Sequence, residues 1–441
     1  MKRFPSIRLG AAAWWVVAAA VAGMVRPAAG GADDLLDGLE PDGAAGPRAD
    51  LAPGLRVAAA FARQRGAEMA QTAKREGLAV PPDFAELLAA AEAGDWPAAS
   101  NVFGRIRARI GQYEGSTSDP ALHNVLWPYA LEIAGALEQA ATWPPALLER
   151  YARDILRRIP DGAIYFGGTD PGRFVIAMYQ AVERTPFHVV TQNALADGLY
   201  MDFLRRTARE GLALPSADDC AAAFQRYVED VRAGRVEAGA ALTVRDGHVS
   251  VEGVQGVMII NGLVARQIVD LNASAPAILV EESYVIPWMY PHLEPDGPIL
   301  RLHPTPRELT DDTVEADRRF WSEYAASLLA HPDYEGSAAA RRTFSKLRAA
   351  IAGLYQARGR LDEAERAFRQ ALELDPRNPE VPFRFARLLA EAGRLDEAES
   401  VIAERARQDP DDENARRFLD WIRQTRAQPP PAAADPPAAP E

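Results

Sequence analysis

The residue types best suited to chemistry lie in one run, Gly167-Gly168-Thr169-Asp170-Pro171-Gly172-Arg173, directly after the apolar stretch Ala163-Ile164-Tyr165-Phe166. Glycines at the carboxyl end of a parallel strand let backbone approach a ligand, and the N-terminus of a following helix favours an anion. Asp170 can hydrogen-bond hydroxyl groups, and Arg173 can grip a carboxylate or phosphate through two N–H groups. The spacing is neither Gly-x-Gly-x-x-Gly nor a Walker loop, so no nucleotide is implied. The same residues also suit a plain tight turn, with Asp170 capping a helix and Arg173 tied to a neighbouring acid. A second cluster, Thr191-Gln192-Asn193 with Asp197 and Tyr200, follows the strand-like Phe187–Thr191. Parallel strands end on one edge, so the two loops can share a crevice. Glu281 and Glu282 end a third strand and add acids to that edge, and Trp288 and Tyr290 offer rings for stacking a sugar or filling a core. The candidate ligand-binding residues are therefore Gly167, Gly168, Asp170, Arg173, Asn193, Asp197, Tyr200, Glu281 and Glu282.

Other chemistry finds little footing. The histidines at 123, 188, 248, 292, 303 and 331 are scattered, with no i,i+4 pair and no cysteine partner, so no metal site is expected. His188 sits inside an apolar strand and reads as a core residue. Cys220 is the only cysteine, which rules out an internal disulfide, and its helix reads as amphipathic. No Gly-x-Ser-x-Gly elbow anchors a hydrolase triad. No catalytic residue and no cofactor are assigned.

The elements that must carry these loops follow from periodicity. Helical patterns run from about Gly54 to Tyr113, then over Asn124–Ala141 and Pro145–Arg158. Strand, helix to Val182 and strand again make a βαβ unit, which requires parallel pairing. Ala241–Val244 and His248–Val251 flank Asp246-Gly247, a hairpin signal. A helix-like Gly256–Leu271 precedes two more strands, Ile278–Val280 and Ile299–Leu302. The fold class is thus an α/β core, a mixed sheet with a βαβ unit, flanked by helical regions and followed by a helical solenoid. The expected divisions are a signal peptide at 1–30, a linker at 31–53, a helical region at 54–144, the α/β domain at 145–312, a helical repeat region at 313–427 and a Pro/Ala tail at 428–441.

Composition and ends bear on partners and place. The formal charge is −13, and Lys2, Arg3, Arg8 and Arg26 all lie in the first thirty residues, so the remainder is more acidic still. Nucleic acid is not an expected partner, because phosphate neutralisation needs a basic footprint. Lys2, Arg3 and Arg8 precede an apolar run from Leu9 to Val25 and then small residues through Gly30. That order is a secretory signal, cleaved after Gly30 or after Ala32. The alternative is an uncleaved membrane anchor. No later segment is apolar for long enough to span a bilayer, so the mature chain is expected to be periplasmic or extracellular.

The C-terminal region repeats itself at 34 residues. Gly359, Leu361, Glu363, Ala364 and Pro376 return as Gly393, Leu395, Glu397, Ala398 and Pro410. This period belongs to helical hairpins that bury their apolar faces by stacking. The region resembles the tetratricopeptide repeat family over about Phe344–Asp411. The resemblance places Tyr355, Gly359, Ala364, Phe368, Ala371, Pro376, Ala386, Leu389, Gly393, Ala398 and Pro410 at packing positions. It departs at Arg405, where a small residue is expected, and at Pro382, where a large apolar one is common. Ala93-Gly94-Asp95-Trp96 with Ala99 and Phe103 matches the same hairpin in diverged form.

Ile164–Tyr179, His188–Tyr200 and Tyr284–Leu302 are similar to the soluble extracytoplasmic part of a bacterial membrane family related to protein O-mannosyltransferases. That resemblance implies an envelope-associated α/β module in contact with glycan or a glycosylated substrate. The family's multi-pass membrane part is absent, so transferase activity is not implied. Two functional readings follow. One is an exported, non-catalytic protein that docks a protein partner through its repeats. The other is a glycan-binding or carbohydrate-active protein using the loops at Gly167–Arg173 and Gln192–Tyr200.

Overall fold

The computed structural model describes residues 50–427, apart from 113–115, 237–240, 246–247, 253 and 282–285. The signal segment, nearly all of the linker, the tail, the Asp246-Gly247 turn and Glu282 lie outside the described residues. The chain is mostly helical with a small mixed sheet. It divides into two compact units, 1–340 and 341–441.

Five helices open the first unit: α1 (Pro53–Glu76), α2 (Pro82–Glu92), α3 (Trp96–Arg109), α4 (Trp127–Thr142) and α5 (Pro145–Leu156). Each carries proline in its first turn, where a missing N–H costs nothing. Helix α4 is buried along most of its length, and Gly135 lets the Phe174 ring lie where a Cβ would be only 2.5 Å from it. Helices α1 and α4 are joined by Thr72 Oγ1 to the Tyr129 hydroxyl at 2.9 Å and by Arg65 Nε to Glu132 Oε2 at 2.7 Å. Residues 54–144 therefore share a compact unit with the α/β residues.

The sheet contains β1 (Ile164–Gly167), β2 (His188–Thr191), β5 (Ile278–Glu281), β6 (Leu293–Asp296) and β7 (Ile299–Leu302), in the order β2-β1-β5-β7-β6. Strand β1 is parallel to both β2 and β5, whereas β7 is antiparallel to β5 and β6. The connection from β1 to β2 is a five-residue π segment, Pro171–Val175, continuing as α6 (Ile176–Glu183). Strands β1 and β5 are buried at every position, as apolar runs with no alternation should be. After β2 come α7 (Gly198–Thr207) and α8 (Ala217–Arg232), then the hairpin β3 (Ala241–Arg245) and β4 (His248–Glu252), and α9 (Val254–Leu271). Phe224, Tyr227, Val228, Val251, Val257 and Ile260 make a small core under that hairpin.

Strand β6 has no counterpart among the sequence-predicted strands, because Pro295 within it argues against a strand. An edge position tolerates that proline, and Asp296 is held by Arg301 at 2.7 Å and Arg158 at 2.7 Å. Helix α10 (Asp311–Leu329) also differs from expectation, since it falls in the first unit and not with the repeats. Arg150 stacks on Tyr324 and Arg158 on Phe320, and Thr313 donates to Glu294 of β6.

In the second unit, α11 (Ala338–Ala357, which crosses the unit boundary) is followed by α12 (Leu361–Leu374), α13 (Val381–Glu391), α14 (Leu395–Gln408) and α15 (Glu413–Ala427). Helices α12 and α14 both have 14 residues, and their ends are 34 residues apart. The turns repeat as well: Gly359 and Gly393 sit at φ 69° and 76°, and Arg360 N and Arg394 N donate to Tyr355 O and Leu389 O. The diverged hairpin of the first unit makes the same turn, with Gly94 at φ 70° and Asp95 N donating to Ala90 O.

Tyr355, Ala364, Phe368, Ala371, Ala386, Leu389 and Ala398 are all buried. Gly359, Gly393, Pro376 and Pro410 are exposed, so they shape turns and do not pack. Arg405 fits where a small residue was expected because its guanidinium turns out to Asp409 and Asp412, both at 2.8 Å. Pro382 is accommodated in the first turn of α13.

A β-carbon is disfavoured at the left-handed turn positions, so Gly359→Ala and Gly393→Ala should each cost about 1–2 kcal/mol in urea denaturation. The repeats should also respond to acid. Arg394, with help from Arg369, holds the Glu365 carboxyl down at about 2 from its ordinary 4.5. A depressed carboxyl stabilises the fold above its unfolded value, and that contribution is lost as pH falls toward the folded value. Stability of the native chain should thus fall between about pH 4.5 and pH 2, and Glu365→Gln should flatten this part of the profile.

Candidate functional site

The register brings the three strand ends together, pairing Gly167 with Thr191 on one side and with Glu281 on the other. Glu281 is 1% exposed, and its carboxylate turns into the glycine-rich turn. Thr169 Oγ1 donates to Oε1 at 2.7 Å and the Tyr151 hydroxyl at 3.3 Å, while the Gly168 and Thr169 amides point at Oε2 at 3.4 and 3.3 Å. A Cβ on Gly172 would lie 1.7 Å from Oε2. The glycines therefore admit a carboxylate from the chain itself, and the donors that could hold an external anion are engaged. Burial and the neighbouring Glu281 charge push the Tyr151 hydroxyl well above its ordinary pKa, so it stays protonated as a donor.

Asn193 Nδ2 donates to Gly168 O at 2.7 Å, so the two loops meet. Asn261 fastens the second loop, accepting from Ala196 N at 2.7 Å and donating to Asn193 O at 3.2 Å. Asp197 caps α7 through Leu199 N at 2.9 Å, and the Tyr200 hydroxyl accepts from Thr191 N. Asp170 makes no side-chain cap, and Thr169 Oγ1 instead accepts from Gly172 N at 3.1 Å. Asp170 is half-buried. Trp288 lies away from the edge, donating to Gly262 O and stacking under Arg266.

Arg173 turns away from the glycine-rich turn and makes no ion pair among the described residues, although its charge partly offsets the burial that raises the Asp197 carboxyl. It lines a partly open cavity of about 180 Å³ between the π segment, α1, α4, α6, β2 and α7, together with Arg65, His188, Tyr200 and Arg209. Of the predicted residues, Gly167, Gly168, Asn193 and Glu281 thus form a closed knot, while Arg173 and Tyr200 line the cavity. Arg65 and Glu132 were not singled out in the sequence. Their signal was an arginine at the buried period of α1 (Ala58, Phe61, Arg65, Met69, Thr72) facing a glutamate in the apolar α4. His188 is 9% exposed; burial and then Arg209 lower its pKa, so it is neutral at pH 7. Among the described residues no cluster of His, Cys, Asp or Glu has the makings of a metal site, and no helix is long and apolar enough to cross a membrane.

A second surface lies on the repeats. Phe383 of α13 meets Phe418 of α15 with centroids 6.2 Å apart, and Phe418 meets Trp421 at 5.3 Å. Trp421 is 45% exposed. Such rings carry much of the energy of protein interfaces when a partner covers them.

Helical hairpins recur at a 34-residue register in the second unit. A tetratricopeptide repeat family model matches residues 355–422, which hold α12 to α14 and most of α15. No curated protein matches the chain.

Two substitutions test the knot. Gly172→Ala should displace the Glu281 carboxylate, and Glu281→Ala should strand several buried donors at about 1–3 kcal/mol each. Each variant should lose about 3 kcal/mol or more of the first unit's stability in chemical denaturation. A loss below about 1 kcal/mol would show that the turn does not depend on this carboxylate.

Proposed function

We propose that this is an exported, non-catalytic protein whose repeats dock a protein partner. The repeat match at residues 355–422 carries the reading, because such repeats serve protein–protein interaction. In this proposal the two hairpins and α15 stack as a short solenoid, and Phe383, Phe418 and Trp421 form the contact surface. Export rests on the order of charged, apolar and small residues before Gly31. The non-catalytic part rests on the lack of a complete nucleophile–base or metal motif in the sequence.

The rival glycan reading requires free donors at the Gly167–Arg173 turn, whose amides and hydroxyl are directed at Glu281. The similarity of residues 164–302 to O-mannosyltransferase-related domains rests on the three sequence blocks alone.

Photo-crosslinking residues in place of Trp421, and of the exposed Glu373 as control, test the docking surface in cells making the full chain. Position 421 should give a discrete adduct with a protein that position 373 does not give. Equal labelling from both sites, or none, would contradict the proposal. Fractionation with N-terminal sequencing tests export, and the mature chain should begin at Gly31 or Asp33. A cytoplasmic chain retaining residues 1–30 would refute it.

A further inference from the structure

The Arg173 side chain is 8% exposed, yet it has no hydrogen-bonding partner and no ion pair among the described residues. Its one ring contact is with Phe174, 4.5 Å from the guanidinium carbon, and its Nε is buried without a partner. A guanidinium cannot shed its proton to escape burial, so a site that keeps one there needs a counter-charge. The nearby acids are engaged elsewhere. Glu132 and Glu68 pair with Arg65 at 2.7 and 2.5 Å, and Asp197 caps α7, its burial-raised carboxyl feeling the Arg173 charge without forming an ion pair.

Arg209 is a second cation on the same wall. It donates to Thr185 O at 2.6 Å and pairs with no carboxylate among the described residues. Burial and the like charge of Arg65 lower its pKa, and the same surroundings keep His188 neutral. The cavity therefore holds positive charge in excess, next to apolar walls from Ala177, Val189, Phe203 and Leu204. The π segment Pro171–Val175 carries Arg173, and such insertions recur where a side chain is aimed for function.

We propose that this cavity binds a small oxyanion-bearing metabolite, with its carboxylate or phosphate against Arg173 and its body along the apolar wall. The volume of about 180 Å³ compares with the roughly 150 Å³ that admits a benzene-sized guest. The ligand is thus a compact organic acid or phosphate and not an oligosaccharide. The proposal is independent of docking by the repeats.

The test is thermal denaturation of the full chain at constant ionic strength, titrated separately with inorganic phosphate and with propionate. A binding anion should raise the midpoint saturably, by about 2 °C or more near a hundredfold excess over its dissociation constant. Response to phosphate alone, or to propionate alone, identifies the headgroup. Arg173→Gln should abolish the response, whereas Arg157→Gln, at a side chain 70% exposed, should keep it. If Arg173→Gln does not fold, Arg209→Gln serves in its place and should weaken binding about tenfold, as loss of a charged hydrogen-bonding partner does. No saturable response to either anion, or one unchanged in the arginine variants, overturns the proposal.

Discussion

Three parallel strands end at one edge of the sheet, and the Glu281 carboxylate ties that edge together. Its Oε1 receives the hydroxyls of Thr169 and of Tyr151 in α5, and its Oε2 lies against the amides of Gly168 and Thr169. Leaving such groups buried without partners would cost about 1–3 kcal/mol for each, so the knot fixes where the turn goes. The turn in turn sets the start of the π segment, and the π segment carries Arg173 over to the cavity side. Gly172 is required by this arrangement, since any side chain there meets the carboxylate. The feature that most resembles a ligand-binding loop is therefore occupied from within.

Both units draw polar groups inward, the second burying Ser345, Arg348, Asp375 and Asn378. Within the first, they are a carboxylate in the turn, a paired Arg65–Glu132 between helices, and Arg173 in a cavity. The second unit buries small residues and aromatics at a fixed period, and leaves rings of α13 and α15 partly open to solvent. Many of its surface arginines and acids are matched, as in the Arg394–Glu365–Arg369 set. The recurrence of one turn geometry at Gly94, Gly359 and Gly393 shows that the same local solution serves both units.

Much of this was legible in the sequence wherever the signal was local. The 34-residue period reproduces the helix ends of α12 and α14, because Gly at the left-handed turn and Ala at the tight crossings act within one hairpin. The βαβ unit follows from two short apolar runs and the helix between them. What escaped depends on distant residues. Strand β6 hides behind Pro295, which only its edge position allows. In the sequence Glu281 is one more acid at a strand end, since its approach to Gly172, more than a hundred residues earlier, has no sequence signature. The surroundings of Arg173 have no local signature either, because the cavity it lines is assembled from elements far apart in the sequence.

The claim that the glycine-rich turn is closed from within, leaving partner binding to other surfaces, is most directly tested by amide hydrogen exchange at Thr169 in the full chain. Its amide should exchange about as slowly as those of β1, and exchange should accelerate in Glu281→Ala. Exchange in the native protein at the rate of an exposed loop would contradict the account.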